Sequence, residues 1–533
     1  MAKGSRSSAA GLNPGWVQWL VPSVGDLLFV ALLGLLACIF LSVRLLGDGG
    51  IGWHIRTGQL ILSTHSIPRT DPFSSTMAGQ PWFAWEWLYD ALVGWLDRAA
   101  GLNAVVLFTA VIIAAVFSWT FRLLVARGTN LLVALVLVLL AASASMIHFF
   151  ARPHVVSWLF TVAWFCILDS SERHPSRRNS RALWALPVLM VVWVNIHGGF
   201  LIGLVLLAIY WMSAAWCALT PKRDRFEDVL QKIHAAARAR QLALTGILSA
   251  LATLMNPYGW RLHLHIYRYL SNRFLMDHID EFQSPNFHLV AQKCFALLLL
   301  LSIAVLAARS SGVNRPVRVS ELLILLFAVY SGLYASRNIP VSSLLLILTI
   351  GPWLSQSVAA SPWLDPAANF LPRMQALDAT LRGHLWPIAA VALTCWITFH
   401  GGKLGASPLM DAHFSPGRFP VAAVDYLQAH NIQSPVLSPD SWGGYLIYRL
   451  YPQTKVVLDD RHDLYGEQFL KSYLKMIHAE PGWSDFLQQH PAGYVLVPSD
   501  SPLAAILPET PGWQPIYHDD VAVVFVRPPA PRE

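Results

Sequence analysis

Long apolar runs, separated by short basic or polar loops, occupy most of the chain. Runs of spanning or near-spanning length lie near residues 25–47, 103–125, 130–148, 154–169, 183–197, 199–219, 242–256, 293–309, 319–335, 341–357 and 385–401. A bilayer core about 30 Å thick needs about 20 apolar residues per helix, so the pattern predicts about eleven transmembrane helices, the shorter ones tilted or half-inserted. Between 48 and 102 the pattern changes. Residues 51–62 and the Trp-rich 83–99 have helical apolar spacing with a polar face, as in helices lying at the interface. Ser66 to Phe73, with Pro68 and Pro72, reads as a turn-rich crossing. Residues 261–268 read as a further interfacial helix.

Beyond residue 413 the period shifts again. Strand candidates at 434–438, 454–459, 494–498, 513–518 and 521–527 alternate with helix candidates at 420–429, 442–450, 466–479 and 482–489. This predicts a small α/β domain with a mainly parallel sheet. The expected fold class is a polytopic α-helical membrane protein with a C-terminal soluble α/β domain. Its parts are a cytoplasmic tail 1–24, a transmembrane domain 25–401 that includes the outer loop 48–102, an extracytoplasmic domain 402–533, and a disordered tail from Pro528.

Composition agrees with the membrane reading. Of 533 residues, 55% are hydrophobic and only 13% charged, against about 25% charged in soluble domains. Mean hydropathy is +0.47. The net charge of +7 is not a nucleic-acid signal, because the basic residues sit in short loops between apolar runs. Starting from a cytoplasmic N-terminus with Lys3 and Arg6, the loops holding Arg127, Arg173 to Arg181, Lys222 to Arg240, Arg309 to Arg318, and Arg373 with Arg382 fall on one side, as the positive-inside rule requires. The five cysteines lie in apolar runs with no CxxC spacing, so they indicate neither zinc nor a disulfide framework. Walker A, HExxH and GxSxG elements are absent.

Charge alternation then gathers the polar motifs on the outer side. Asp48, just beyond the first apolar run, suits a general base acting on a hydroxyl or amine acceptor; a helix-end residue meeting water is the competing reading. His54 and Arg56 follow, where a structural imidazole and a snorkelling or headgroup-binding guanidinium are the plainer readings. Glu86, between Trp85 and Trp87, is set to have a raised pKa or simply to face water. Arg152 with His154, and Arg337, end helices on the same side, and guanidinium forks suit phosphate oxygens. His197, in Asn195-x-His197-Gly198-Gly199, marks a ligand approach or a tight turn. Asp71 reads best as a turn residue. Asp459, Asp460 and Asp463 suit a metal, sugar hydroxyls or a salt-bridged loop, with Arg461 beside them. Trp442-Gly443-Gly444-Tyr445 is a stacking platform or a helix start.

These motifs resemble those of the GT-C superfamily of integral-membrane glycosyltransferases, which place an acidic residue after helix one and two interfacial helices in the first outer loop. The chain is further similar to a poorly characterised bacterial subgroup at Trp53-His54-Ile55-Arg56-Thr57-Gly58, Ile67 to Ser74, Glu86-Trp87-Leu88, Arg152-Pro153-His154, Asn195-x-His197-Gly198-Gly199, Asn256-Pro257-Tyr258-Gly259, Arg337-Asn338-Ile339-Pro340, Trp442 to Leu446 and Asp460-Arg461-x-Asp463-Leu464-Tyr465-Gly466. The resemblance implies an inverting glycosyltransferase in the bacterial inner membrane. It implies a polyprenyl-phosphate sugar donor and a glycan, lipid or protein acceptor. Asp48 would be the acid, with His54 and Glu86 as further catalytic candidates. Arg56, Arg152, His154, His197, Arg337, Asp460 and Arg461 would bind substrate or lipid phosphate. The subgroup often opens its loop with Asp-x-Asp. Here Gly50 holds the second position, which weakens a divalent Mg or Mn site. The rival functions are a lipid or sugar transporter or flippase, which predicts polar groups at mid-membrane depth, and a non-catalytic scaffold with an outer binding domain.

Overall fold

The computed structural model describes residues 17–38, 41–220, 226–310, 317–359 and 370–527. The expected tail up to residue 16, the basic residues Lys222, Arg223, Arg225 and Arg315, and the expected tail from Pro528 lie outside the described residues.

Among the described residues, each apolar run read from the sequence lies largely on helix, the first on two, Val24–Ala37 and Ser42–Leu45. Among the described residues, seven helices are long and apolar enough to cross a membrane: Gln18–Ala37, Trp87–Ala126, Leu131–His148, His154–Arg173, Phe200–Leu219, Val290–Ala308 and Ser336–Ala359. Val319–Tyr334 and Leu385–Phe399 are apolar but shorter. Ala185–Val194 has only ten residues, and the 242–256 run begins within Phe226–Ala252 and runs four residues past its end. The first spanning helix begins at a capping box, in which the Ser23 backbone N–H donates to Asp26 at 2.9 Å and Asp26 N–H donates back to the Ser23 hydroxyl.

Two elements differ from the sequence expectation in a way that shapes the site. The interfacial helix 83–99 and the run 103–125 form one 40-residue helical stretch, Trp87–Ala126, interrupted only at Ala100 and Gly101. Gly101 takes φ +66°, a conformation that costs a glycine nothing and makes the offset between the two segments. The other outer-loop helix, Ile51–Thr64, lies against its first part. There Gly58 meets the Asp90 backbone, and Gly94 meets Gly58 and Gln59, so neither glycine leaves room for a side chain.

The C-terminal sheet has four strands in the order Val436–Leu437, Tyr494–Pro498, Ala522–Val526, Gln514–His518. Only the first pair is parallel. The mainly parallel sheet expected from the alternation is therefore corrected to a mostly antiparallel one. The physical reason is the tight turn between the last two strands, where Asp519 accepts the backbone N–H groups of Val521 and Ala522 and folds them into a hairpin.

Residues 454–459 form no regular strand. They link the sheet to the outer loop through two isolated bridges at Val456: Val457 N–H donates to Val436, Ser75 N–H donates to Val456, and Val456 N–H donates to Phe73. The outer loop is thus sewn to the C-terminal region through backbone hydrogen bonds. Helix Asp440–Leu450 packs on helix Ile51–Thr64, and Phe414, Phe419 and Tyr445 continue the main apolar core into this layer.

Candidate functional site

A cleft of about 1000 Å³ opens between the outer-loop helices, one set of helix ends, the segment 266–282 and the C-terminal region. Asp48, His54, Glu86, Arg152, His154, His197, Arg337, Asp460 and Arg461 all line it. These residues span more than four hundred positions of sequence and meet in one place. Arg56 does not line it. Its guanidinium is held by the Tyr448 carbonyl, near the end of helix Asp440–Leu450, and by Gln59 at 2.9 Å, so the substrate contact expected for it is replaced by a helix-end contact.

The centre of the cleft is Arg152. Its position follows from the chain before it: Ala151 N–H donates to Leu45 at 2.7 Å, pinning this helix start to the end of the first apolar run. Arg152 Nε donates to Asp48 Oδ2 at 3.0 Å, and Nη2 donates to Asp460 Oδ2 at 2.9 Å. Nη1 lies 3.4 Å from His54 Nε2. Burial opposes the charge on Arg152, but Asp48 and then Asp460 outweigh it and hold its pKa above the usual arginine range. Asp48 also accepts the Gly50 N–H at 2.9 Å. Asp460 also accepts the Trp53 indole N–H at 2.9 Å. Burial raises the Asp460 carboxyl, against the pull of Arg152.

His54 is buried and stacked on Trp53, with ring centroids 3.6 Å apart. Its Nδ1 pairs with Asp90 Oδ1 at 2.6 Å. An arginine can only donate, so the hydrogen-bond pattern assigns the proton to Nδ1 and leaves Nε2 as the acceptor. Burial first, and Arg152 next, hold its pKa well below the ordinary histidine value. His54 is therefore a neutral imidazole.

Glu86 lies between two imidazoles. Its oxygens are 3.8 Å from His54 Nε2 and 3.8 Å from His197 Nε2. Burial pushes its pKa up to about 8. Trp193 donates to Ser157 Oγ at 2.8 Å, so the Ser157 hydroxyl hydrogen is free to go to His197 Nδ1 at 2.9 Å, where Gly199 N–H also donates at 3.0 Å. That arrangement assigns the remaining proton of His197 to Nε2, facing Glu86. Burial, followed by Arg337, takes the His197 pKa down to about 3.

The far wall carries a second cation. Arg337 Nη1 pairs with Glu281 at 3.2 Å, and the guanidinium lies over the Phe282 ring at 4.5 Å. Burial alone would raise Glu281, but Arg337, His148 and Arg152 bring it down to about 2. His154 Nε2 is bonded to the His148 carbonyl at 2.8 Å.

Arg461 and its acidic neighbours are mostly committed elsewhere. Arg461 Nε and Nη2 grip Asp459, each at 2.7 Å, and Nη2 also reaches Asp71 at 2.8 Å. The guanidinium lies over Trp82 at 4.6 Å. Asp71 is a turn residue as well, accepting from Phe73, Ser74 N–H and the Ser74 hydroxyl. Asp463 binds His265 at 2.8 Å. The three acids grouped by sequence as a metal or sugar set thus go to three different partners, and only Asp460 reaches Arg152. Trp442 lines the cleft at the start of helix Asp440–Leu450, where Gly444 presses on Gly49 and Gly50 without space for a side chain.

Sequence reasoning did not single out Asp90, Ser157 or Glu281 as site residues. Asp90 is one helical turn after Glu86, and Ser157 one turn after His154, so helical spacing places each on its neighbour's face. Glu281 carried no such signal.

No protein-family model and no curated protein sequence matches the chain. Solved structures do. The archaeal oligosaccharyltransferase AglB from Archaeoglobus fulgidus, in complex with an inhibitory peptide and a dolichol-phosphate, superposes with a TM-score of 0.52 at 12% identity, covering 89% of this chain and 69% of that one. The same oligosaccharyltransferase tethered to an acceptor peptide gives 0.52 at 12% identity, covering 95% and 74%. ArnT from Cupriavidus metallidurans bound to undecaprenyl phosphate gives 0.51 at 14% identity, covering 97% of this chain and 98% of that one. The chain shares the overall fold of these solved structures, and its apolar helices make it a multi-pass membrane protein.

Proposed function

We propose that the chain transfers a sugar from a polyprenyl-phosphate donor to an acceptor on the extracytoplasmic face of the bacterial inner membrane. The observation that carries this reading is the convergence of Asp48, Arg152, Glu86, His197 and Arg337 on a single cleft with an apolar side formed by Leu201, Ile202, Ile266, Leu270 and Val341. A lipid phosphate needs both parts: cations for the head and an apolar passage for the chain. The solved relatives that hold dolichol-phosphate or undecaprenyl phosphate support the choice of lipid. A transporter would place its polar groups at mid-membrane depth, whereas these gather at helix ends.

In the proposed step, Asp48 accepts the proton of the acceptor hydroxyl or amine. The acceptor atom bonds to the anomeric carbon from the face opposite the phosphate, inverting it. The bond from that carbon to the phosphate oxygen breaks, its electron pair stays with oxygen, and polyprenyl phosphate leaves as the anion. Arg152 and Arg337 meet that charge. Glu86, uncharged at neutral pH, donates a hydrogen bond to a sugar hydroxyl, and neutral His54 and His197 frame it. Asp460 joins the site from the C-terminal region, which makes that region the second half of the catalytic unit. Arg461 fixes the region to the outer loop.

The test is transfer by the purified full chain from a radiolabelled polyprenyl-phosphate sugar. Asp48→Asn should slow turnover by at least about 10²-fold while thermal unfolding is unchanged. Undiminished transfer by a folded Asp48→Asn chain removes this reading.

A further inference from the structure

The loop carries Gly50 where a paired-acid metal site would carry its second carboxylate. The structure gives the physical reason. A Cβ at position 50 would collide with Arg152 Nη1 and Asp460 Oδ2. The space for an acid at this position is already filled, by a guanidinium from one helix end and a carboxylate from the C-terminal region. Two acids, Asp48 and Asp460, still flank Arg152, but they come from opposite ends of the chain and the guanidinium already lies between them.

That cation is well placed for the task. Two carboxylates carry a charge of −2 when ionised, and Arg152 supplies +1 at their centre. Of its five N–H groups, one goes to Asp48, one to Asp460 and one faces His54. Two remain on a residue that lines the cleft. A divalent ion would need these oxygens at about 2.0–2.6 Å. Both oxygens instead accept from Arg152 nitrogens, at 3.0 and 2.9 Å, so an ion could take them only by displacing the guanidinium. Among the described residues, no three His, Cys, Asp or Glu side chains form a metal-binding group. The donor set does not fit a metal ion; it fits the guanidinium that is there.

We infer that Arg152 is the resident cation of this site, clamped between Asp48 of the outer loop and Asp460 of the C-terminal region in the position a divalent metal would take between paired acids. The inference rests on the proposed phosphate chemistry: the electron pair released to the phosphate oxygen is met by the two free Arg152 N–H groups. It also gives Asp460 a defined role, as a positioning residue that holds Arg152 toward the leaving group.

The experiment is Mn²⁺ binding to the purified full-length chain, followed by electron paramagnetic resonance, and it needs no turnover. Wild type is expected to bind no Mn²⁺ that Asp460→Asn removes. Arg152→Ala, with two uncompensated carboxylates, is expected to gain one Mn²⁺ per chain and to lose it again in the Arg152→Ala/Asp460→Asn double variant. Wild-type binding that disappears in Asp460→Asn overturns the inference, as does a folded Arg152→Ala chain that binds nothing. If Arg152→Ala fails to fold, wild type decides. Transfer in EDTA should equal transfer without it, and loss restored by added Mn²⁺ also overturns the inference. A chain that passes the binding test yet moves no sugar counts against the proposed function alone.

Discussion

Arg461 reaches from the C-terminal region to Asp71 in the outer loop, at 2.8 Å, with both side chains almost wholly buried. This ion pair fastens the two halves of the cleft together. Removing one partner leaves the other charge buried without compensation, which costs about 3–5 kcal/mol. Arg461→Ala should therefore lower stability by about that amount and make the C-terminal region a target for limited proteolysis. An unchanged unfolding midpoint and cleavage pattern would show that other contacts carry the junction.

Asp48→Asn should slow transfer by about 10²- to 10⁴-fold, the range for a lost general base. The loss should fall on kcat, because the Gly50 hydrogen bond and the contact to Arg152 can both be kept by an amide oxygen. A rise in KM with kcat preserved would make Asp48 a binding group instead.

The Glu86 carboxyl, at about 8, gives a pH signature of its own. An unfolded glutamate ionises near about 4.3. Between these values the folded chain holds a proton that the unfolded chain has released. The stability contribution is complete below the unfolded value and is lost as pH rises toward about 8, a change on the order of a few kcal/mol. Glu86→Gln cannot ionise and should flatten this slope in unfolding curves recorded from about pH 5 to about pH 9. An identical slope in wild type and variant would mean that Glu86 is ionised in the fold.

Gly52 packs against the Gly444 carbonyl and the Tyr448 side chain, and a Cβ there would press on backbone that cannot yield. Gly52→Ala should cost about 1–3 kcal/mol by overpacking. Gly34→Ala is the matched control. It also sits in a helix, it meets nothing within 4 Å, and it should stabilise by up to about 1 kcal/mol through helix propensity. Equal effects at both sites would disprove the tight seam.

Arg56→Ala should leave the KM for the lipid donor within about two-fold, since the guanidinium holds the Tyr448 carbonyl outside the cleft; the cost should be stability, about 0.5–1.5 kcal/mol per lost hydrogen bond. A large rise in KM would return Arg56 to the substrate.

The membrane helices were legible because apolar run length is a one-dimensional signal, and among the described residues each run lies largely on helix. The site was legible in part because charged groups at helix ends are rare in so apolar a chain. What the sequence did not reveal were pairings that depend on three-dimensional register. Asp48 and Asp460 are joined through Arg152, three residues with no local pattern in common. Glu281 and Arg337 meet across two loops. The parallel sheet was misread because strand and helix alternation does not encode the hairpin turn at Asp519. Arg56 misled because it stands two residues from His54, yet helical rotation turns it toward Tyr448 while His54 faces the cleft.

The glycine seam has a consequence for the order of events during synthesis. Trp53 and Asp460 are 407 positions apart, and Arg152 and Asp460 are 308 apart. The loop with Asp48 and the helix end with Arg152 leave the ribosome long before residues 440–461 exist, and chains generally fold from the N-terminus as they emerge. Until then Gly49 and Gly52 lack the Ser441 and Gly444 backbone that packs against them, and Asp71 waits for its arginine. A nascent chain stopped before residue 436 would hold a membrane bundle with half a site. Activity should therefore switch on when the C-terminal sheet closes, and not grade in as helices accumulate.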